Sequence, residues 1–377
     1  MKGKWGVWGL GILFVGSVIW LAGLAGWLIG GPFLIGVDPY FHVTLTGKYV
    51  AAGSWRLSEF PWAYASIWRD LWFDKEWLFH MLMVPFTGYG GEWGVRVFIF
   101  LSVCAVAGTW WFCVRSGNYS DRIGAYWFGL LPMLTYGLFW VRLGVCRPHL
   151  LSMALMLLGW AFMFRQDYRK TGAVALIYSL SYTGYWQFFF HCAFFEICGW
   201  LQRFFFAGNV SSGVKRDARP GRLTLWALGG MLAGTLLHPN FPNNLRGLYI
   251  QNVRVLLDAW KGGEDWAALR PRELEGLGVQ GLLSWCLPLA ISLAVVGLVM
   301  FRSWKTRRLA TVADDKRQRL LFLIVSAGGY CVLAMASLRF LEYAVPVTAL
   351  AAVALFSEID CSTLFPRLRH RLIPAAG

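Results

Sequence analysis

One apolar run after another in this sequence is long enough to cross a bilayer, and that feature limits the fold more than any other. A spanning helix needs about 20 mostly apolar residues. Ten stretches approach this length: 5–29, 94–114, 123–140, 148–164, 171–184, 186–206, 223–238, 280–301, 319–338 and 341–357. Hydrocarbon accepts only chains that pair their backbone polar groups internally, so continuous runs imply helices and not the alternating strands of a barrel. Only 15% of residues are charged, against roughly 25% in a soluble domain. The fold class expected is an all-α polytopic membrane protein of about ten transmembrane helices, one domain over residues 1–377. The first run is too long for a cleavable signal and is expected to remain as the first span.

The formal charge of +15 suggests nucleic acid until the charges are placed. With the N-terminus on the cytoplasmic side, the inner loops and tails hold 22 of the 35 Lys and Arg. That is the bias that orients membrane proteins. It accounts for the net charge and leaves nothing that calls for a nucleic-acid partner. The localisation expected is the plasma (cell inner) membrane, with both termini cytoplasmic. The eight cysteines are scattered without a CxxC pair and read as small hydrophobes.

Two loops on the expected outer side are long, 30–93 and 239–279. In the first, "GVDPYFHVTLTGKYVAAG" (Gly36–Gly53) reads as an amphipathic interfacial helix. Asp38 and Pro39 suit its start, Gly53 its end, and Phe41, Leu45 and Tyr49 form an apolar stripe. Asp38 either caps this helix or serves as a reactive carboxylate, with His42 on the same side one turn on. "KEWLFHMLMVPF" (Lys75–Phe86) is too short to span and is expected to be a juxtamembrane helix. Just before it, Asp74 and Glu76 either suit a helix start or hold a divalent cation, magnesium or manganese.

Polar residues recur at the expected outer ends of other spans. Arg142, Arg147 and His149 lie in "FWVRLGVCRPHLLSM", where the orientation rule disfavours Arg. They either snorkel to headgroups or present guanidinium donors to a phosphate. Arg339 and Glu342, in "SLRFLEYAVP", are close enough to pair with each other. His238, Asn240 and Asn243 lie in "LLHPNFPNNLRG", a turn or part of a site. Charges from such distant positions beside hydrocarbon are most economically gathered in one polar cavity. Glu196, inside a span, is the feature that favours a transporter.

The pattern resembles the GT-C superfamily of membrane glycosyltransferases, which includes oligosaccharyltransferases, protein O-mannosyltransferases and the lipid A aminoarabinose transferase. "GVDPYFH" looks like the acidic motif of that family's first external loop. "EWLFHMLMVPFTGYGGEWGVRVFIFLSVCAVAGTWWF" is similar to its juxtamembrane helix, turn and second span. "RPHLLSMALMLLGWAFMFR" and "SLRFLEYAVP" look like later spans. The resemblance implies transfer of a sugar from a polyprenyl-phosphate carrier in the lipid bilayer to an acceptor glycan, lipid or protein on the extracytoplasmic face. Asp38 would then be the catalytic carboxylate, with Asp74 and Glu76 near a second acidic motif, all three as candidate metal ligands. His42, Arg142, Arg147, His149, His238, Arg339 and Glu342 complete the expected substrate-binding set. The rival readings are a lipid-linked sugar flippase and a non-catalytic scaffold on a similar fold.

Overall fold

The computed structural model describes residues 34, 36, 38–62, 69, 72–135, 138–205, 221–254, 257 and 276–359. The expected first span therefore lies outside the described residues, and so does most of 255–275. The described part is helical, with no strand among its residues.

The chain enters as α1 (Asp38–Ala52), which ends where Gly53 takes a positive φ of 56°. Its buried face is Pro39, His42, Leu45, Thr46 and Tyr49. Leu45 and Tyr49 of the expected stripe are therefore inside, but Phe41 is 45% exposed. The helix packs against protein on a face rotated towards His42 and Thr46. The partner is α2 (Trp77–Gly88), whose Phe79 meets the His42 ring edge-on at 5.1 Å and whose Thr87 donates to Thr46 Oγ1 at 3.1 Å.

α2 leads into α3 (Gly90–Ser116) through a break at Gly91, where φ is 54° and ψ is −134°. Such a conformation is open to glycine and strained for any side chain. The expected juxtamembrane helix, turn and second span are thus separate elements.

After α4 (Asp121–Leu130) and a 3-10 turn (Leu131–Thr135), Thr135 Oγ1 accepts the Phe139 N–H at 2.9 Å and starts α5 (Leu138–Gly144). The expected span 123–140 is thus broken, because a hydroxyl cap begins a new helix within it. α5 and the next helix, α6 (His149–Phe164), meet at a bend of 101°. The bend holds Arg147 and Pro148, and Pro148 suits a helix start but not a helix interior.

α7 (Tyr168–Ser181), α8 (Trp186–Phe205) and α9 (Arg222–Leu237) follow. α7 and α9 approach backbone to backbone. A Cβ on Gly230 would stand 2.0 Å from the Gly172 carbonyl oxygen, and one on Gly234 would stand 1.9 Å from Ser179 Oγ. Small residues four apart allow such contact between membrane helices. Glu196 of α8 spends its carboxylate here, accepting the Leu223 N–H at 3.0 Å and the Thr224 hydroxyl. It caps the start of α9. A capping carboxylate at a helix N-terminus needs no transport role.

α10 (Asn243–Tyr249) continues into a π-helical turn, Ile250–Arg254. The chain resumes with α11 (Gly278–Trp285), α12 (Leu287–Lys305), α13 (Asp314–Ala336) and α14 (Leu341–Glu358). α14 is buried at every position from Leu341 to Leu355, as a central helix must be. Trp110 of α3 donates its indole N–H to the Pro346 carbonyl of α14 at 3.0 Å.

Helices occupy or fall within each of the nine expected spans beyond the first. Four of them are long and apolar enough to cross a membrane: α3, α12, α13, and the stretch Leu338–Glu358 that contains α14. The bent pair α5–α6 makes a fifth. Among the described residues α6, α7 and α9 have only 16, 14 and 16 residues, shorter than a straight full-length span. The chain is a helical membrane protein with several short, broken elements.

Candidate active site

Five parts of the chain supply the site: the start of α1, the start of α2, the α5–α6 bend, the turn between α9 and α10, and the first turn of α14. Each is a helix end or a break, where the backbone can present side chains without a continuous hydrogen-bond ladder.

Asp38 opens α1, and one of its carboxylate oxygens accepts from both Nε and a terminal nitrogen of Arg147, which lies in the α5–α6 bend. The side chains are 32% and 19% exposed, so this pair is partly open at the outer edge of the site. A second pair joins the same bend to α14: Arg142 donates through two nitrogens to Glu342, with side-chain exposures of 9% and 2%. His149 donates its Nε2–H to the Arg142 carbonyl at 2.9 Å and stands 3.9 Å from Glu342. Glu342 thus has a partner from 200 positions away in the chain. Tyr182, just after α7, lies within electrostatic reach of Glu342, Arg339, Glu76 and Arg142 together. His149 is similarly placed with respect to Arg142, Arg147 and His42. The scattered charges therefore belong to one neighbourhood.

Beside this outer edge is a buried polar group. Asp74 is 1% exposed, and both of its oxygens are engaged. Oδ1 accepts the Glu76 N–H at 3.0 Å, and Oδ2 accepts the Tyr49 hydroxyl at 2.9 Å and His80 Nδ1–H at 2.7 Å. Burial pushes the Asp74 carboxyl up, but His80 and the other donors outweigh that and hold it below the usual carboxylate range. The Tyr49 hydroxyl is pushed up by burial and by Asp74, so it remains a donor. His80 Nε2 is 2.8 Å from His42 Nδ1, and Glu76 Oε2 is 3.9 Å from the same His42 atom. Burial, with His80 beside it, drives His42 down to about 3, so its ring is neutral near pH 7.

Among the described residues, His42, Glu76 and His80 form the group whose ligand atoms converge, all within 4.8 Å of one another. The acids expected to hold an ion, Asp38, Asp74 and Glu76, do not converge in this way. Asp38 faces Arg147, and Asp74 stands behind His80 with its oxygens already engaged. Glu76 alone of the three is in the group. The donor set of two imidazoles and one carboxylate fits a transition metal such as zinc better than magnesium, which prefers oxygen ligands. Asp74 behind His80 is the carboxylate–histidine arrangement that orients metal-binding imidazoles. Two nitrogens on one tetrahedral ion stand about 3.3 Å apart, so binding requires the rings to part by about half an ångström.

His238 lies on the far side of Asp74 and donates to its carbonyl at 3.0 Å. It was expected to bind substrate, but it is spent on the backbone of the acidic motif. His80, Tyr49 and Asn240 are the functional candidates that residue-by-residue reading underrates. One signal for His80 was available: it stands four residues after Glu76, on the same helical face. His191 lies apart from this group, pairing with the Tyr330 hydroxyl at 2.8 Å inside the bundle.

No family model matches the sequence, and no curated protein matches it. Two solved structures of an oligosaccharyltransferase from Archaeoglobus fulgidus match the fold. One is AglB in complex with an inhibitory peptide and a dolichol-phosphate, with a TM-score of 0.61 and 13% identity. The other is the enzyme tethered to an acceptor peptide with an NVT sequon through a disulfide bond, with a TM-score of 0.58 and 13% identity. Each match covers 98% of this chain and 52% or 51% of the other. The chain thus spans about half the length of the solved proteins it matches, and over nearly all of its own length its fold is similar to theirs.

Proposed function

We propose that this protein transfers a sugar from a polyprenyl-phosphate carrier to an acceptor at the extracytoplasmic face of the plasma (cell inner) membrane. The observation that carries the proposal is the Asp38–Arg147 pair. It puts an acid that can act on a hydroxyl beside a cation that can hold a phosphate, at a partly open edge of the site bordered by short membrane helices. The GT-C fold and the loop charge bias support the same reading.

In this reaction the bond from the sugar anomeric carbon to the phosphate oxygen breaks, and a new bond forms from that carbon to the acceptor oxygen. The acceptor proton passes to Asp38, and polyprenyl phosphate leaves with the bonding pair. Arg147 and Asp38 hold each other until phosphate arrives. The incoming anion then competes for the guanidinium and frees the carboxylate towards the acceptor hydroxyl. Arg142 holds the inner wall of the site through Glu342, and Arg339 adds positive potential near the phosphate. The bilayer admits the carrier tail sideways, which explains why the site lies among short and broken helices.

The His42–Glu76–His80 group is the proposed home of a divalent cation, which when bound would offset phosphate charge. Asp74 is then a positioning residue for His80.

The test is to incubate purified protein with labelled polyprenyl-phosphate sugars and a panel of acceptors, and to identify products by mass spectrometry. Parallel samples receive chelator, then zinc or manganese. The proposal expects sugar-modified acceptor together with free polyprenyl phosphate. Movement of intact donor across vesicles without covalent transfer would favour a flippase, and neither outcome would favour a scaffold.

A further inference from the structure

The acidic motif before α2 has no secondary structure of its own. Phe73 and Asp74 lie in irregular chain, so the Asp74 backbone N–H and carbonyl need partners from elsewhere. Both come from one turn more than 160 positions away: Asn240 Oδ1 accepts the Asp74 N–H at 3.3 Å, and His238 Nε2 donates to the Asp74 carbonyl at 3.0 Å.

The turn leaves no freedom in these roles. The Asn240 N–H donates to His238 Nδ1 at 3.1 Å, so Nδ1 carries a lone pair and the proton sits on Nε2. Asn240 Nδ2 donates to the Leu57 carbonyl at 2.6 Å, which fixes which end of the amide faces Asp74. His238 is 6% exposed and Asn240 3%, so water does not substitute for these bonds.

The same logic continues through Asp74. An ionised carboxylate only accepts, so His80 carries its proton on Nδ1 and turns the Nε2 lone pair towards His42 and Glu76. We infer that the His238–Asn240 turn is a positioning element: it holds Asp74 by both backbone polar groups and thereby fixes the tautomer and direction of His80 in the candidate centre. This rests on the proposed function for its catalytic meaning, but not for its geometry.

The chain has only six histidines, so histidine-selective 15N labelling can follow His80 in the full-length protein, with the signal assigned through its loss in His80→Gln. Glutamine places a donor near the position of a histidine Nε2, whereas asparagine is too short to reach the Asp74 carbonyl. His238→Gln should therefore leave His80 as a single Nδ1–H tautomer. His238→Asn and Asn240→Ala should give a mixture of tautomers. Titration with Co²⁺, read by its visible absorption, should show binding about 10- to 100-fold weaker in the latter two variants, the range for lost outer-shell partners. A single unchanged His80 tautomer in both His238→Asn and Asn240→Ala would overturn the inference. Absence of sugar transfer or of cobalt binding in the wild type would count against the proposed function, while the tautomer comparison would still decide the role of the turn.

Discussion

Two arginines five residues apart, Arg142 and Arg147, each grip a carboxylate from another part of the chain, yet their settings differ. The Arg142–Glu342 pair is closed off, with side-chain exposures of 9% and 2%. The Arg147–Asp38 pair is partly open, at 19% and 32%. Removing one partner of a buried pair strands a charge in a medium that cannot solvate it, whereas water rescues the survivor of a partly exposed pair. The inner pair therefore has the character of structure and the outer pair that of a contact which a substrate anion can displace. The 101° bend between α5 and α6 is what turns these two neighbouring arginines to different depths.

Stability measurements break or sharpen this contrast first. Glu342→Gln should cost about 3–5 kcal/mol because Arg142 is left buried and poorly compensated. Asp38→Asn should cost no more than about 1 kcal/mol. Thermal or denaturant unfolding in a single detergent compares the two, and equal losses would erase the distinction between the pairs.

The next effect is on donor use. Arg147→Ala should raise the KM for the polyprenyl-phosphate donor by roughly 10- to 150-fold, matching about 1.5–3 kcal/mol for a hydrogen bond to a charged group. The fold should be kept. Donor titration at fixed acceptor measures this, and an unchanged KM would remove Arg147 from phosphate binding.

The smallest expected effect concerns pH. His42 is held down to about 3 in the folded protein against an ordinary value of 6.5, so between these values the unfolded chain binds the extra proton. Stability contributed by neutral His42 is present in full above pH 6.5 and is lost as pH falls towards 3. In metal-free protein, acidification from pH 6.5 to 5.5 should cost about 1 kcal/mol. Melting curves of wild type and His42→Gln check this; the variant should lose less stability over the same interval.

Much of the fold was legible in the sequence because apolar run length acts locally. The turn at Gly91 and the short helix before it follow from "FTGYGGEW", where glycine permits a backbone that other residues resist. The break within 123–140 was not legible, because a hydropathy window averages over Thr135, whose hydroxyl starts a new helix. Within the site, the grouping of distant charges could be read from the cost of stranding each beside hydrocarbon. Their pairing could not. Arg339 and Glu342 are close in sequence, but the Glu342 contact with Arg142 depends on how α14 meets the α5–α6 bend. Likewise Asp74 and Glu76 look equivalent in "DKE". The fold gives Asp74 five hydrogen-bonding neighbours and turns Glu76 towards two histidines.

Transfer by Asp38→Asn measures the central claim most directly. Donor binding and single-turnover product formation would be followed together in the purified variant and the wild type. Retained donor binding with product formation lowered by about 100-fold or more is the result expected for loss of the group that takes the acceptor proton. Product formed at the wild-type rate would contradict the account.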